Sequence, residues 1–264
     1  MYTLYVIPGS HACRSAILML DHKRVPYRRV DVPTLTHPVA VRLVGFRASE
    51  ETRVAGTKRS PALRFGDRTG TVPALAAGDE RIATNHNIAR FLDDRHPERP
   101  LFPADPAQRE KVEEAEHWAN ETLQMVARRI ALAGALRGPS AISRAGADGR
   151  MGYMLYRSAL LRRLIIPWIG RMVFAVDGTT DRELMAELPV LLDRIDGWIA
   201  DGVLGGEHLN AADFMVAPSL ALILYRLDMR PMFEGRPALE LVDRILPDPD
   251  AVETPGIEPG SAVA

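Results

Sequence analysis

The chain has 264 residues, 47% hydrophobic and 25% charged, a balance that fits a globular protein of one large domain or of two smaller ones sharing an interface. Its 33 basic and 34 acidic side chains leave a formal net charge of −1, so no overall field favours nucleic acid or an anionic membrane. One cysteine excludes an intramolecular disulfide and a cysteine-based structural zinc site, and with no secretion signal the expected location is the cytoplasm.

Thr3-Leu4-Tyr5-Val6-Ile7 is a short run of strand formers, broken by Pro8-Gly9-Ser10. A helix is expected over 15–20, where Ile17, Leu18, Met19 and Leu20 give it a buried side. A second strand follows Pro26, over 27–32. Residues 46–70 are polar and carry Arg53, Lys58, Arg59, Arg64 and Arg68. They read as a solvated insertion or as a basic flap over an anionic ligand. Thr71-Val72-Pro73-Ala74-Leu75 enters a third strand, Gly78-Asp79 turns, and Arg81-Ile82 returns. Residues 87–92 form another helix, with Asp93-Asp94 as its solvated end. The order is β-α-β, a long interruption, then β-β-α.

Residues 93–106 hold four prolines and several charges, as an exposed linker would. Asp105 and Pro106 then open a helix as N-cap and first position. Val112, Ala115, Ala119, Val126, Ile130 and Ala133 are the core stripe of that long amphipathic helix. Residues 134–152, rich in Gly, Ala, Ser and Arg, read as a mobile connection. Residues 160–176 are the most hydrophobic stretch after the linker, yet Arg162, Arg163, Pro167 and Arg171 make them too short and too charged to span a bilayer. A bundle helix is the preferred reading over a membrane-surface segment. Another helix is expected over 184–199, with Leu188, Leu191, Leu192, Ile195 and Ile199 on one side.

The segment from Leu209 to Phe214 carries every signal of a helix start. Asn210 is placed to be the N-cap, and Asp213 at N3 can reach back to the cap amide. Leu209 and Phe214 fall at the two positions of a hydrophobic staple. Residues 214–227 are nearly all apolar, so this helix should be buried. A final helix is expected over 237–245, and residues 247–264, with four prolines, read as a disordered tail.

The strand order, Val72-Pro73 opening the third strand, the Pro-rich linker and the capped buried helix together resemble the cytosolic glutathione transferase superfamily over residues 1–245. No single motif carries the likeness. It implies α/β plus all-α architecture: a thioredoxin-like domain at 1–97 and an α-helical bundle at 105–246. It also implies an enzyme that binds glutathione or another low-molecular-weight thiol, uses no metal, and conjugates that thiol to an apolar electrophile held between the domains. A homodimer is expected from the family only. Two rivals stand beside this reading. One is a non-catalytic binding or scaffold protein of the same fold, and the other is a thiol-disulfide oxidoreductase acting through Cys13.

Ser10-His11-Ala12-Cys13-Arg14 lies between the first strand and the first helix. A helix start offers unpaired N–H groups and partial positive charge, both of which stabilise a thiolate. The resemblance puts Ser10 at the leading catalytic position, its hydroxyl donating to a bound thiolate. Cys13 competes as the cysteine of an Ala-Cys pair found in some bacterial members, which forms a mixed disulfide with glutathione. A lone cysteine one turn into a helix is also an ordinary core residue. His11 reads as surface or cleft wall, or as acceptor of the thiol proton, and Arg14 as partner of a ligand carboxylate or of an acid in the second half.

The resemblance also implies a cis Val72-Pro73 bond, with the Val72 backbone pairing with an extended thiol peptide. Glutathione-binding relatives carry Glu or Gln and then Ser at the start of the third helix, where this chain has Thr84-Asn85. Asn85 can cap that helix and present its N–H groups to a carboxylate. Thr84 lacks the charge that would meet the γ-glutamyl ammonium. Phosphate-cradling glycine loops, Gly-x-Ser-x-Gly and His-Glu-x-x-His are absent, and the seven histidines show no metal spacing.

Overall fold

Strand β1 (Tyr2–Val6) buries Leu4 and Val6 and leaves Thr3 and Tyr5 half-buried, the period of two that sets one face on a core. The computed structural model describes residues 1–33, 36–47, 70–137 and 167–247. β1 pairs in parallel with β2 (Tyr27–Asp31), and helix α1 (His11–His22) supplies the crossover that a parallel pair needs. On its other side β1 pairs antiparallel with β3 (Ala74–Ala77), Leu4 opposite Leu75, and β3 pairs antiparallel with β4 (Glu80–Ala83). The sheet order is β2-β1-β3-β4, a thioredoxin-like mixed sheet. Gly78, at φ +62°, takes the left-handed position in the two-residue turn between β3 and β4.

Several elements differ from the sequence reading. Helix α1 starts at His11, four residues earlier than expected, because Ser10 caps it and Ala12, Cys13 and Ser15 are all buried. Helix α2 (His37–Leu43) has no counterpart in that reading. It has seven residues and buries only Pro38 and Val41, too few to write a periodic stripe. Phe46, taken with the polar insertion, is instead a core residue, edge-on to Tyr5. The remainder of that segment, residues 48–69, lies outside the described residues, as do 138–166 and 248–264.

Helix α3 (Asn85–Arg95) ends the first half, and Asp93 near its end is not simply solvated. Its carboxylate takes the Lys23 ammonium at 2.6 Å and the Leu101 amide at 2.6 Å. The linker is thereby tied to α1. Helix α4 (Pro106–Trp118) is capped by Asp105 and runs through a π-helical turn (Ala119–Leu123) into α5 (Gln124–Arg137). The expected stripe is buried throughout. The wide turn was not expected. One extra residue in a turn rotates everything after it by about 100°, which sets the face that α5 shows to α1. Gly134, read as the start of a mobile connection, stays inside α5. A Cβ there would meet Arg226 carbons at 2.6 Å, so the helix needs a glycine at this crossing.

Helix α6 (Gly178–Ala200) begins six residues before the expected start, capped by Asp177. Helix α7 (Ala211–Ile223) buries all thirteen of its residues and packs on α1, α4, α5 and α8 (Pro237–Ile245). Among the described residues no helix is long and apolar enough to cross a membrane.

A buried helix start cannot leave its amides to water. The Asn210 side chain accepts from the Ala212 and Asp213 amides and donates to the Val203 carbonyl at 2.8 Å. Asp213 accepts from the Asn210 amide at 2.9 Å and from the Gly205 amide at 2.7 Å, and Ala211 N–H donates to Leu101 O at 2.9 Å. Burial pushes the Asp213 carboxyl up to about 6 against these two amides, which favour its charge. The native state therefore binds the proton more tightly than the unfolded chain between about 4 and 6, and this group's contribution falls as pH rises through that window. Asp213→Ala should lower stability by roughly 2–4 kcal/mol, read as a lower denaturant midpoint at unchanged slope. Measured against Asp213→Asn, wild-type stability should rise as the pH is lowered through about 6. An unchanged midpoint in the alanine variant contradicts the role.

Candidate functional site

Three segments distant in sequence meet beside the start of α1. Ser10 is extended at φ −79°, its Oγ accepts from the Cys13 amide at 3.4 Å, and its side chain also hydrogen-bonds the Cys13 thiol. The Val72-Pro73 bond is cis. Pro73 O accepts from the Thr84 amide at 3.3 Å, which joins that loop to the start of α3. Asn85 Nδ2 donates to Ala12 O at 2.9 Å, which joins the start of α3 to the start of α1. The Val72 carbonyl also accepts from the Thr71 hydroxyl at 3.4 Å. Ser10, Val72-Pro73 and Thr84-Asn85 therefore form one patch.

Two assignments at α3 change places. Its cap is Thr84, whose Oγ1 accepts from Asn87 N at 3.3 Å, and Asn85 is the first helical residue. Asn85 is already helical, its Nδ2 turned to Ala12 O and its Oδ1 buried without a hydrogen-bond partner. Thr84 sits at φ +74°, where a β-branched side chain is strained by about 1–3 kcal/mol. Strain of this kind is kept where the surrounding structure over-determines it, often at a ligand clamp.

Cys13 is 1% exposed, and its Sγ accepts from the Ile7 amide at 3.4 Å. Burial pushes its thiol up to about 11, with only partial relief from that amide and from Ser10. His11 is not on the surface. It is 2% exposed, wedged between α1 and α5. Burial, followed by the Arg128 charge, holds its imidazole well below the usual value, although the Gln124 backbone carbonyl accepting from the ring opposes this. The ring is neutral near pH 7, with Nε2 buried and without a partner. Among the described residues no acid pairs with Arg14, and its charge reaches Tyr27 rather than the patch.

Gln124 and Arg128 were missed by sequence reasoning. They lie one turn apart on α5, in the face that the π-helical turn swings toward α1. The Arg128 side chain keeps an opening to solvent, yet burial brings it down to about 10, and its guanidinium lies 5.5 Å from the centre of the Phe174 ring. The available signal was a polar pair at helical spacing set inside an apolar stripe.

A thiol held near 11 is about 100-fold less ionised at pH 8 than one at the unfolded value of 9.0. Iodoacetamide at pH 8 should therefore label native Cys13 at least about 100-fold more slowly than the urea-unfolded chain. Equal rates would show an exposed, reactive thiol.

Residues 4–100 match the family described as glutathione S-transferase, N-terminal domain. No curated protein matches the sequence. Among solved structures, a glutathione S-transferase from Rhodospirillum rubrum F11 is 20% identical over 93% of this chain and 87% of its own, at a TM-score of 0.57. FzlA from C. crescentus is 18% identical over 100% of this chain and 96% of its own, at 0.56. A maleylacetoacetate isomerase from Anaeromyxobacter dehalogenans 2CP-1 is 19% identical over 93% of this chain and 89% of its own, at 0.52. At these identities the likeness is one of fold. Residues 4–100 are thus similar to a glutathione S-transferase N-terminal domain, and the chain as a whole shares the fold of these solved structures.

Proposed function

We propose that the chain is a glutathione-transferase-like enzyme in which Ser10 holds a small thiol as its thiolate. The observation that carries this reading is the single patch made by the start of α1, the cis Val72-Pro73 loop and the start of α3. Each part suits one portion of an extended thiol peptide. The Val72 backbone pairs with its main chain in the manner of strand addition. The start of α3, capped by Thr84, faces a carboxylate with N–H groups and partial positive charge. The Ser10 hydroxyl, already accepting from Cys13 N–H, donates to the sulfur. The isomerase from Anaeromyxobacter dehalogenans has been solved with glutathione bound in its active site, which favours glutathione as the thiol here.

The reaction follows from the held thiolate. Sulfur attacks an electrophilic carbon, a C–S bond forms, and the thiol proton passes to solvent. With an aryl chloride, chloride leaves with the bonding pair. The chain contributes orientation and electrostatic stabilisation of sulfur, with no covalent enzyme intermediate. The domains of this reading are 1–97 and 105–246, and it takes the chain as a cytoplasmic homodimer by family likeness. The replacement of the acid-Ser pair by Thr84-Asn85 favours the second reading, a binding protein of the same fold. Burial of Cys13 and its raised thiol weigh against disulfide exchange.

Because Ser10 also caps α1, alanine would confuse catalysis with stability. Glycine removes the hydroxyl at a cost of only a few tenths of a kcal/mol at a cap. Ser10→Gly should reduce kcat for glutathione and 1-chloro-2,4-dinitrobenzene by roughly 100-fold and move the pH profile toward that of free glutathione. Cys13→Ala should keep conjugation. Unchanged turnover in Ser10→Gly would remove Ser10 from the mechanism.

A further inference from the structure

Among the described residues most buried cations meet acids, whereas Arg14 and Arg128, both near the start of α1, do not. Arg226 is held by Asp181 and Asp228, Arg90 by Glu116, and Lys23 by Asp93. Arg236, only part-buried, takes Asp193 and Asp196. Arg128 faces the Phe174 ring and, among the described residues, no carboxylate. Its near neighbours are short of partners too. Gln124, 6% exposed and one turn before it, has Nε2 buried with no acceptor. His11 has Nε2 buried with none. On one helix face stand a guanidinium that meets no carboxylate among the described residues and a buried amide nitrogen with no hydrogen-bond partner, a donor that a desolvated site tolerates poorly.

We propose that Arg128 and Gln124, opposite His11 at the start of α1, hold the carboxylate of an anionic electrophile. The inference deepens the transferase reading and rests on it for the identity of the bound molecule as a second substrate. It also replaces a purely apolar electrophile with a charged one. The geometry favours a monoanion. Among the described residues Arg128 is the cation acting on His11, and on Cys13 it outweighs Arg29. Arg129, next in sequence, turns away toward Ala175 O and Asp177. His11 stays neutral and adds no charge. A planar guanidinium beside a planar amide suits the two oxygens of a carboxylate. The Phe174 ring supplies an apolar wall for the body of the molecule. Recognition of this kind discriminates against a neutral isostere, because without the anion the buried donors are left unpaired.

The test is calorimetric binding of 4-nitrobenzoate and of 4-nitrobenzamide to the full chain. Neither is an electrophile that conjugation would consume. Wild type should bind the carboxylate at least tenfold more tightly than the amide. Arg128→Met should abolish that preference, Arg128→Lys should keep part of it, and Gln124→Leu should reduce it, with melting curves confirming that each variant is folded. Equal affinity for the two probes, no binding of the carboxylate, or a preference that survives in Arg128→Met overturns the proposal. A carboxylate preference in a protein that turns over no electrophile upholds the anion site and removes the transferase reading. Turnover of neutral electrophiles without a carboxylate preference does the reverse.

Discussion

The structure depends on burying α7 whole. A helix with no exposed residue gains from every side chain, at about 25 cal/mol per Å² of apolar surface removed from water. Its first-turn amides then have no solvent to bond. Asn210, Asp213, Val203, Gly205 and Leu101 satisfy that requirement together. Leu101 belongs to the linker, so the same bonds fix where the first half ends against the second. With α7 in place, α1 has a surface to pack on, and the ring of His22 meets that of Phe214 at 5.1 Å.

The site inherits its geometry from that docking. The sheet sets the direction of α1, and α7 sets its depth. Glu116 with Arg90 ties the two halves by an ion pair, and Asp93, which holds Lys23, takes the Leu101 amide of the linker. The patch beside Ser10 is closed by two backbone-directed bonds, Asn85 to Ala12 and Thr84 to Pro73. On the far side α5 arrives through the π-helical turn with Gln124 and Arg128 facing α1. A thiol on the sheet side and an electrophile on the helical side would then meet at one helix start. In the proposed reading the Ser10 hydroxyl acts on sulfur there, while Cys13 is turned into the core.

Local chemistry made much of this legible in sequence. The α7 start could be read because cap, N3 carboxylate and staple are each written in one residue at a fixed offset. Pro106 after Asp105 announced α4, and the apolar stripe of α4 and α5 was visible at helical spacing. Other features were hidden because tertiary contacts decide them. Helix α2 is too short to show a period. The π-helical turn shifts a register without marking the sequence. Thr84 takes the cap expected of Asn85, whose Nδ2 turns instead to Ala12, seventy-three positions away. His11 looked like surface because nothing nearby in sequence shows that α5 covers it. Arg128 was unreadable for the same reason: its meaning lies in a missing partner, and only folding shows which partners are missing.

The most direct test of thiol binding beside Ser10 is the melting temperature with saturating glutathione, with other small thiols in parallel. A ligand at 100 times its Kd adds about 2.7 kcal/mol, which for a chain of this size raises Tm by several degrees. The account predicts such a shift with glutathione. No shift with glutathione or with any other small thiol would contradict it and make the fold a binding scaffold.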